Sequence, residues 1–227
     1  MKRVFMINKN IRLSLNNKWL ILCGAIAGLF FTFSWIIQGA LRVGYDPMMA
    51  PVSSLAIGSL GWIQVITFLI TGVLLTLFAY GIWKISKSEY KGFSKRGPIL
   101  ILICGIGLIG AGIFTTDTTN GYPEAKAIID NNPSFSGPIH KLFAGFLFIG
   151  LPLACFVFAN YFTAKKEQKW GIYSFLSGIL LIITFLLTML GYSEFNGFQL
   201  YLGLLQRITL TIGVLWIILI SIYFFKK

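Results

Sequence analysis

Three ionisable side chains stand at the ends of strongly apolar stretches, where a polar group needs a partner. Asp117 lies in GIFTTDTT, among threonine hydroxyls that can donate hydrogen bonds to a carboxylate. His140 is the only histidine of the chain, and Arg207 follows Gln206 inside another apolar run. A histidine can act as a general base, a carboxylate can orient it, and an arginine can bind an anion.

The helical rise predicts that these three groups lie at one level. A helix that begins at Gly97 reaches Asp117 after a rise of about 30 Å, at a C-terminus whose dipole disfavours a carboxylate. Arg207 lies about 27 Å from the far end of its helix, so we expect it just below the same surface, facing the bundle interior as a candidate cation for Asp117. His140 should lie in a first helical turn, where the dipole favours neutral imidazole.

Two serines in YDPMMAPVSSLAIGSLGW add to this set. Pro47 and Pro51 keep the start of the stretch non-helical, and Ser53 or Ser54 suits the N-cap of the helix that follows. Either serine could be a nucleophile if the reaction were acyl transfer. The candidate catalytic residues are His140, Asp117 and Ser54, and the candidate ligand-binding residues are Arg207, Gln206 and Ser53.

Each candidate also has a purely structural interpretation. Asp117 could be a helix-end group paired for assembly, and His140 an ordinary interfacial residue. Arg207 could clamp neighbouring helices together, and Ser54 could serve as an N-cap alone.

Membrane-spanning helices must position these residues. Of the 227 residues, 56% are hydrophobic and 11% are charged, whereas soluble domains carry roughly a quarter charged residues. Six apolar stretches reach the roughly 20 residues that a spanning helix needs, and they are too evenly apolar for strands of a membrane barrel. The sequence predicts an all-α fold with residues 1–227 as one six-span membrane domain. The expected spans are about 19–40, 60–83, 97–116, 140–162, 170–190 and 203–225.

Basic residues predict the orientation of the chain. Fifteen of the nineteen Lys and Arg residues precede the first span, lie between spans 2 and 3 or 4 and 5, or end the chain. The positive-inside rule therefore places both termini in the cytoplasm and the candidate site on the outer side. We expect a multi-pass protein of a bacterial-type plasma membrane, with membrane lipids as partners. A cleaved signal peptide would leave five spans, but the first apolar run exceeds the usual h-region of about 7–15 residues.

Composition and spacing argue against several other functions. The net charge of +12 is dispersed and carries no nucleic-acid recognition motif. One histidine cannot supply bis-histidine haem ligation, and one histidine with one aspartate falls short of the three protein ligands of a catalytic zinc. We therefore predict no nucleic acid, no metal site and no cofactor, although the sequence leaves open whether another cation is bound near Asp117. The three cysteines lie within spans, without metal or disulfide spacing: Cys23, Cys104 and Cys155.

The third span is rich in glycine, which predicts close helix packing in the membrane. Its GIGLIG matches the G-x-G-x-x-G pattern, but a nucleotide site needs a preceding strand that is absent from the predicted span. The glycines are Gly105, Gly107, Gly110 and Gly112.

Four segments of the chain resemble a catalogued family. YDPMMAPVSSLAIGSLGWIQ, GIFTTD, SGPIHKLFAG and LLQR are similar to the pattern of a prokaryotic multi-span membrane family, domain of unknown function 998, over about residues 20–222. In that family a serine before span 2, an aspartate ending span 3 and a histidine beginning span 4 recur. Here they correspond to Ser53 or Ser54, Asp117 and His140. The resemblance implies the architecture and brings no established reaction.

Two functions fit these observations. The favoured one is a binding protein whose outward-facing polar pocket holds a lipid headgroup or a small anionic ligand through Arg207 and a helix N-terminus. The alternative is an outer-leaflet hydrolase or transferase for a lipid-linked substrate, with His140 as base and Asp117 orienting it. The sequence does not decide between them, and it leaves the oligomeric state and any transport direction open.

Overall fold

Six helical segments of the chain are long and apolar enough to cross a membrane. The structure is a computed structural model that describes residues 15–89, 95–118, 122, 134–193 and 195–227. The predicted all-α, six-span fold is confirmed. The α-helices are α1 (Leu15–Leu41), α2 (Gly61–Glu89), α3 (Arg96–Ile113), α4 (Ser136–Ala164), α5 (Gln168–Tyr192) and α6 (Leu202–Phe225). A first 3-10 helix, Val52–Ala56, precedes α2, and a segment of 3-10 turns, Phe195–Tyr201, precedes α6 and is kinked at Asn196 and Gly197.

The six helices form a closed ring in chain order. Each helix packs against the next one, and α6 returns to α1. The Lys18 ammonium near the start of α1 lies 5.4 Å from the centre of the Phe225 ring at the end of α6. The chain therefore enters the first helix and leaves the last one at the same end of the bundle. The opposite end, which carries residues 42–60, 114–118 and 195–201, is called the loop end below.

The orientation of the bundle relative to the cytoplasm stays a prediction. It rests on the distribution of Lys and Arg along the chain. Four of the N-terminal basic residues used for it lie outside the described residues: Lys2, Arg3, Lys9 and Arg12.

One predicted cap and one predicted helix end are wrong. The second spanning helix begins at Gly61, next to the predicted start at 60, but its N-cap is neither Ser53 nor Ser54, because Gly58 adopts a φ of +82° that interrupts the helix. Both serines lie inside the preceding 3-10 helix. The third helix ends at Ile113, three residues before the predicted end at 116, and the backbone leaves the helix from there.

The glycines of α3 bring two neighbouring helices into close contact, as predicted. A Cβ atom on Gly105 would lie 2.7 Å from Thr76 Oγ1 and 2.9 Å from the Gly72 carbonyl of α2. A Cβ atom on Gly107 would lie 2.7 Å from the Phe143 carbonyl of α4. Small residues therefore let both partner backbones approach α3, which strengthens dispersion contacts where lipid offers no hydrophobic driving force.

Adding a methyl group at Gly105 should lower the free energy of unfolding by about 1–3 kcal/mol, because the new atom would overlap α2. Gly145 of α4 is the matched control, because no atom lies within 4 Å of the Cβ position there. We expect Gly145→Ala to leave stability unchanged or slightly raised. Thermal unfolding in detergent compares Gly105→Ala with Gly145→Ala, and equal stabilities would contradict the proposed close contact.

Candidate functional site

A cavity of about 280 Å³ lies at the loop end of the ring. One water molecule needs only roughly 10–15 Å³ of such space, so the cavity has room for a much larger molecule. All six helices and the first 3-10 helix contribute to its wall. Most wall residues are apolar, and the polar ones are Ser53, Thr116, His140, Lys141, Thr188, Tyr192 and Gln206.

His140 is held by the C-terminal end of α3. Its Nδ1 lies 3.0 Å from the Ala111 carbonyl oxygen and 2.8 Å from that of Phe114. Carbonyls only accept hydrogen bonds, so Nδ1 carries the hydrogen and Nε2 is the acceptor of the neutral ring. The side chain is buried in the cavity wall, and Nε2 has no hydrogen-bond partner among the residues that the structure describes. This nitrogen is therefore free to accept a hydrogen bond from a molecule in the cavity.

Asp117 lies at the N-terminal end of α4, and not at a helix C-terminus as predicted. The Ser134 amide donates to its Oδ1 at 3.2 Å, and a Cβ atom on Gly137 would overlap the carboxylate. The dipole of α4 favours a negative charge there, so the predicted conflict with a helix dipole does not arise. Asp117 is close enough to His140 for an electrostatic interaction. The imidazole, however, is oriented by backbone carbonyls.

Arg207 holds the loop between α1 and the first 3-10 helix. The side chain is buried, and its guanidinium carbon lies 5.5 Å from the centre of the Trp35 ring and 5.4 Å from that of Tyr45. Nη2 donates a hydrogen bond to the Tyr45 hydroxyl. Nη1 shares its two hydrogens among three carbonyls, those of Pro47 (2.6 Å), Ala50 (2.9 Å) and Gly203 (2.9 Å). Arg207 thus contacts the loop rather than Asp117, and it does not belong to the cavity wall.

Tyr45 extends this network towards the 3-10 helix. Its hydroxyl lies 3.1 Å from the Ala50 carbonyl oxygen and 3.0 Å from that of Pro51, and donates to them. Burial raises the pKa of Tyr45, although the neighbouring Arg207 charge opposes the shift. The phenol therefore stays protonated and can keep donating to the loop at neutral pH.

The two serines have different surroundings. Ser53 belongs to the cavity wall, whereas Ser54 is fully buried, lies outside the wall, and has no hydrogen-bond partner for Oγ among the described residues. The amide of Val52 donates to Gln206 Oε1 at 2.7 Å. This bond fixes the serine segment against α6 and leaves the Gln206 amide nitrogen as a donor beside Ser53.

The structure thus brings Ser53, His140 and Gln206 together in the wall of one cavity. Asp117 lies outside this wall, close enough to His140 for an electrostatic interaction. Sequence reasoning missed the contribution of α5. There the Tyr192 phenol lies against the Ser53 and Gln206 side chains, and Thr188 lies one turn earlier in the wall. The spacing of four residues between these two polar side chains in an apolar helix was the available signal, because it places them on one face.

The model of one protein family, described as Protein of unknown function (DUF998), matches residues 25–223. No curated protein and no solved structure matches the chain. The matched range includes all of the candidate site residues and nearly all of the six helices.

Replacing Arg207 with methionine should lower the free energy of unfolding by about 2–4 kcal/mol, because buried carbonyls then lose their donor. Arg42 is the matched control, since it also donates to three backbone carbonyls, of Leu55, Ile57 and Leu60, but is only partly buried. We expect Arg42→Met to cost less than half as much, because water can replace the lost donor. Unfolding in detergent measures the free energy of unfolding of both variants. A larger loss of stability for Arg42→Met would contradict the proposed role of Arg207 in holding the loop.

Proposed function

The chain belongs to the DUF998 family, and we propose that its cavity binds a membrane lipid or a similar amphipathic molecule. The observation that carries this proposal is the arrangement of the cavity wall. Polar side chains lie towards the loop end, and the deeper wall is apolar. The deep residues also line a second, apolar cavity of about 30 Å³ further along the ring axis, namely Phe31, Leu108, Leu147, Phe148 and Leu210. A polar headgroup would match the loop end of the wall, and the first carbons of an apolar chain would match its deeper part.

Two wall residues on α4 and α5 support entry from the bilayer. Gly145 on α4 leaves open space at its Cβ position, and Met189 on α5 is 37% exposed while it also lines the cavity. Deeper in the bundle, the Phe148 and Phe185 rings of the same helices stack with centroids 5.0 Å apart. In this proposal a lipid reaches the cavity sideways, between α4 and α5 and above this stack.

The wall favours a lipid over a small anion as the ligand. The hydrogen bonds of Arg207, the residue that the sequence suggested for an anion, go to the loop and to Gly203. Lys141 is the charged side chain that remains in the wall, and it is exposed. In this proposal the loop end faces the outer leaflet of a bacterial-type plasma membrane, which is supported by the basic residues near the opposite end.

An enzyme acting on a lipid-linked substrate is the second candidate. It is favoured by one observation, the free Nε2 of His140 in the cavity wall, oriented by two carbonyls. A base in this position could take a proton from a substrate hydroxyl or from water. Ser53, rather than Ser54, would be the serine within reach of such a substrate.

Filling the cavity at Gly145 should abolish lipid retention without unfolding the protein. Gly145→Phe places a ring where the structure has open space, so we expect the wild type to retain about one lipid per chain after delipidation and this variant to retain at least tenfold less. Quantitative mass spectrometry of extracted lipid measures the retention.

The matched control is Ile149→Phe, one turn further along α4 at a position that is 58% exposed and outside the cavity wall. It should retain lipid as the wild type does. Equal retention by a folded Gly145→Phe variant would refute binding in this cavity.

A further inference from the structure

We infer that the ligand is an uncharged lipid alcohol, whose hydroxyl donates a hydrogen bond to His140 Nε2. This inference rests on the proposed lipid binding and specifies the headgroup. The headgroup class follows from three properties of the wall: its lack of buried charge, the directions of its hydrogen bonds, and the depth at which its polar groups lie.

The inner part of the wall carries no full charge among the described residues. Lys141 is exposed at the rim, and Asp117 and Arg207 lie outside the wall. Their charges already have partners, at the start of α4 and in the loop respectively. A phosphate or carboxylate drawn deep into this cavity would lose its hydration without a buried cation to replace it, which disfavours binding. An uncharged headgroup avoids that cost.

The hydrogen-bonding groups of the wall match a hydroxyl. His140 presents an acceptor, because its Nδ1 hydrogen is committed to the Ala111 and Phe114 carbonyls. Gln206 presents the opposite function, because its Oε1 accepts from the Val52 amide and its amide nitrogen, which interacts with the Tyr192 phenol, has a second hydrogen to donate. A hydroxyl both donates and accepts, so a headgroup that bears hydroxyls carries the functions that both residues need. An ester or a hydrocarbon cannot donate to the imidazole.

The depth of these groups places the headgroup at the loop end and the chain on the ring axis. His140 is in the second turn of α4, and Gln206 is the fifth residue of α6, so both lie near the loop end of their helices. The wall beyond them is formed by apolar residues such as Leu147 and Leu210. A monoacylglycerol or a long-chain alcohol has this distribution of polar and apolar groups.

The headgroup can be tested with three probes that share one oleoyl chain. These are 1-monooleoylglycerol, its 3-phosphate derivative, and methyl oleate, which has no hydroxyl. Binding of each radiolabelled probe to the delipidated full-length wild type in detergent is measured by equilibrium dialysis. We expect monooleoylglycerol to bind at least tenfold more tightly than either of the others, and Gly145→Phe to abolish this binding while Ile149→Phe keeps it.

The role of His140 can be tested with His140→Asn, whose amide can still donate to the two carbonyls but presents no acceptor at the position of Nε2. We expect a roughly fivefold to tenfold loss of affinity for monooleoylglycerol, the effect of one neutral hydrogen bond. The affinity for methyl oleate should not change. An equal loss for both probes would show that the variant disturbs the cavity as a whole and would overturn the assigned hydrogen bond. The wild-type probe series keeps the inference testable if this variant does not fold.

The remaining outcomes separate the inference from the proposed function. If the 3-phosphate probe binds as tightly as monooleoylglycerol, with the same sensitivity to Gly145→Phe, the inference of an uncharged headgroup is overturned and the proposed lipid binding stands. If methyl oleate binds as tightly as monooleoylglycerol, the inference that a ligand hydroxyl donates to His140 is overturned, and the proposed lipid binding again stands. Failure of all three probes to bind the folded wild type would overturn the inference, and the co-purified lipid experiment would then decide the proposed function alone.

Discussion

The loop end of this bundle is organised by one constraint: polar groups taken out of water must find partners within the protein. Arg207 meets it most extensively. Its side chain is buried, and its guanidinium carbon lies within 5.5 Å of the centres of two aromatic rings. The guanidinium donates to backbone carbonyls of the loop. Because Arg207 belongs to α6 and the loop follows α1, this single side chain connects the last helix of the ring to the segment that follows the first helix. The position of the Ser53 segment depends on that attachment.

The connection between α3 and α4 follows the same rule. The last carbonyls of a helix lack intrahelical donors, and the first amides lack acceptors. Here His140 of α4 donates to carbonyls near the end of α3, and Ser136 of α4 donates to the Thr115 carbonyl at 2.8 Å. Asp117 in turn accepts from the Ser134 amide just before α4. The two helix ends therefore satisfy each other, and this exchange leaves the second imidazole nitrogen free in the cavity wall.

The cavity itself is a consequence of the ring. Six helices that each contact only their sequence neighbours closely enclose an axis that side chains must fill. They fill it well near the chain ends, where aromatic residues such as Phe158, Phe162 and Trp216 are fully buried. Towards the loop end the filling is incomplete, because small residues, Ala144 and Gly145, line the wall. The larger of the two described cavities thus coincides with the polar groups that the loop-end network has positioned, and that coincidence supports a binding function.

The sequence by itself determined the number of spanning helices, their approximate limits and the close packing of the α3 glycines, because these follow from local apolar length and from residue size. It also predicted His140, Gln206 and Ser53 as site residues, from polar side chains in or next to apolar runs, and the structure places all three in the cavity wall. It did not reveal the partners. Arg207 and Asp117 were expected to pair because both were ionisable and at one depth, yet one binds a loop and the other a helix N-terminus. Only the tertiary structure decided this, because hydrogen-bond partners depend on which backbone groups the loops bring within about 3 Å.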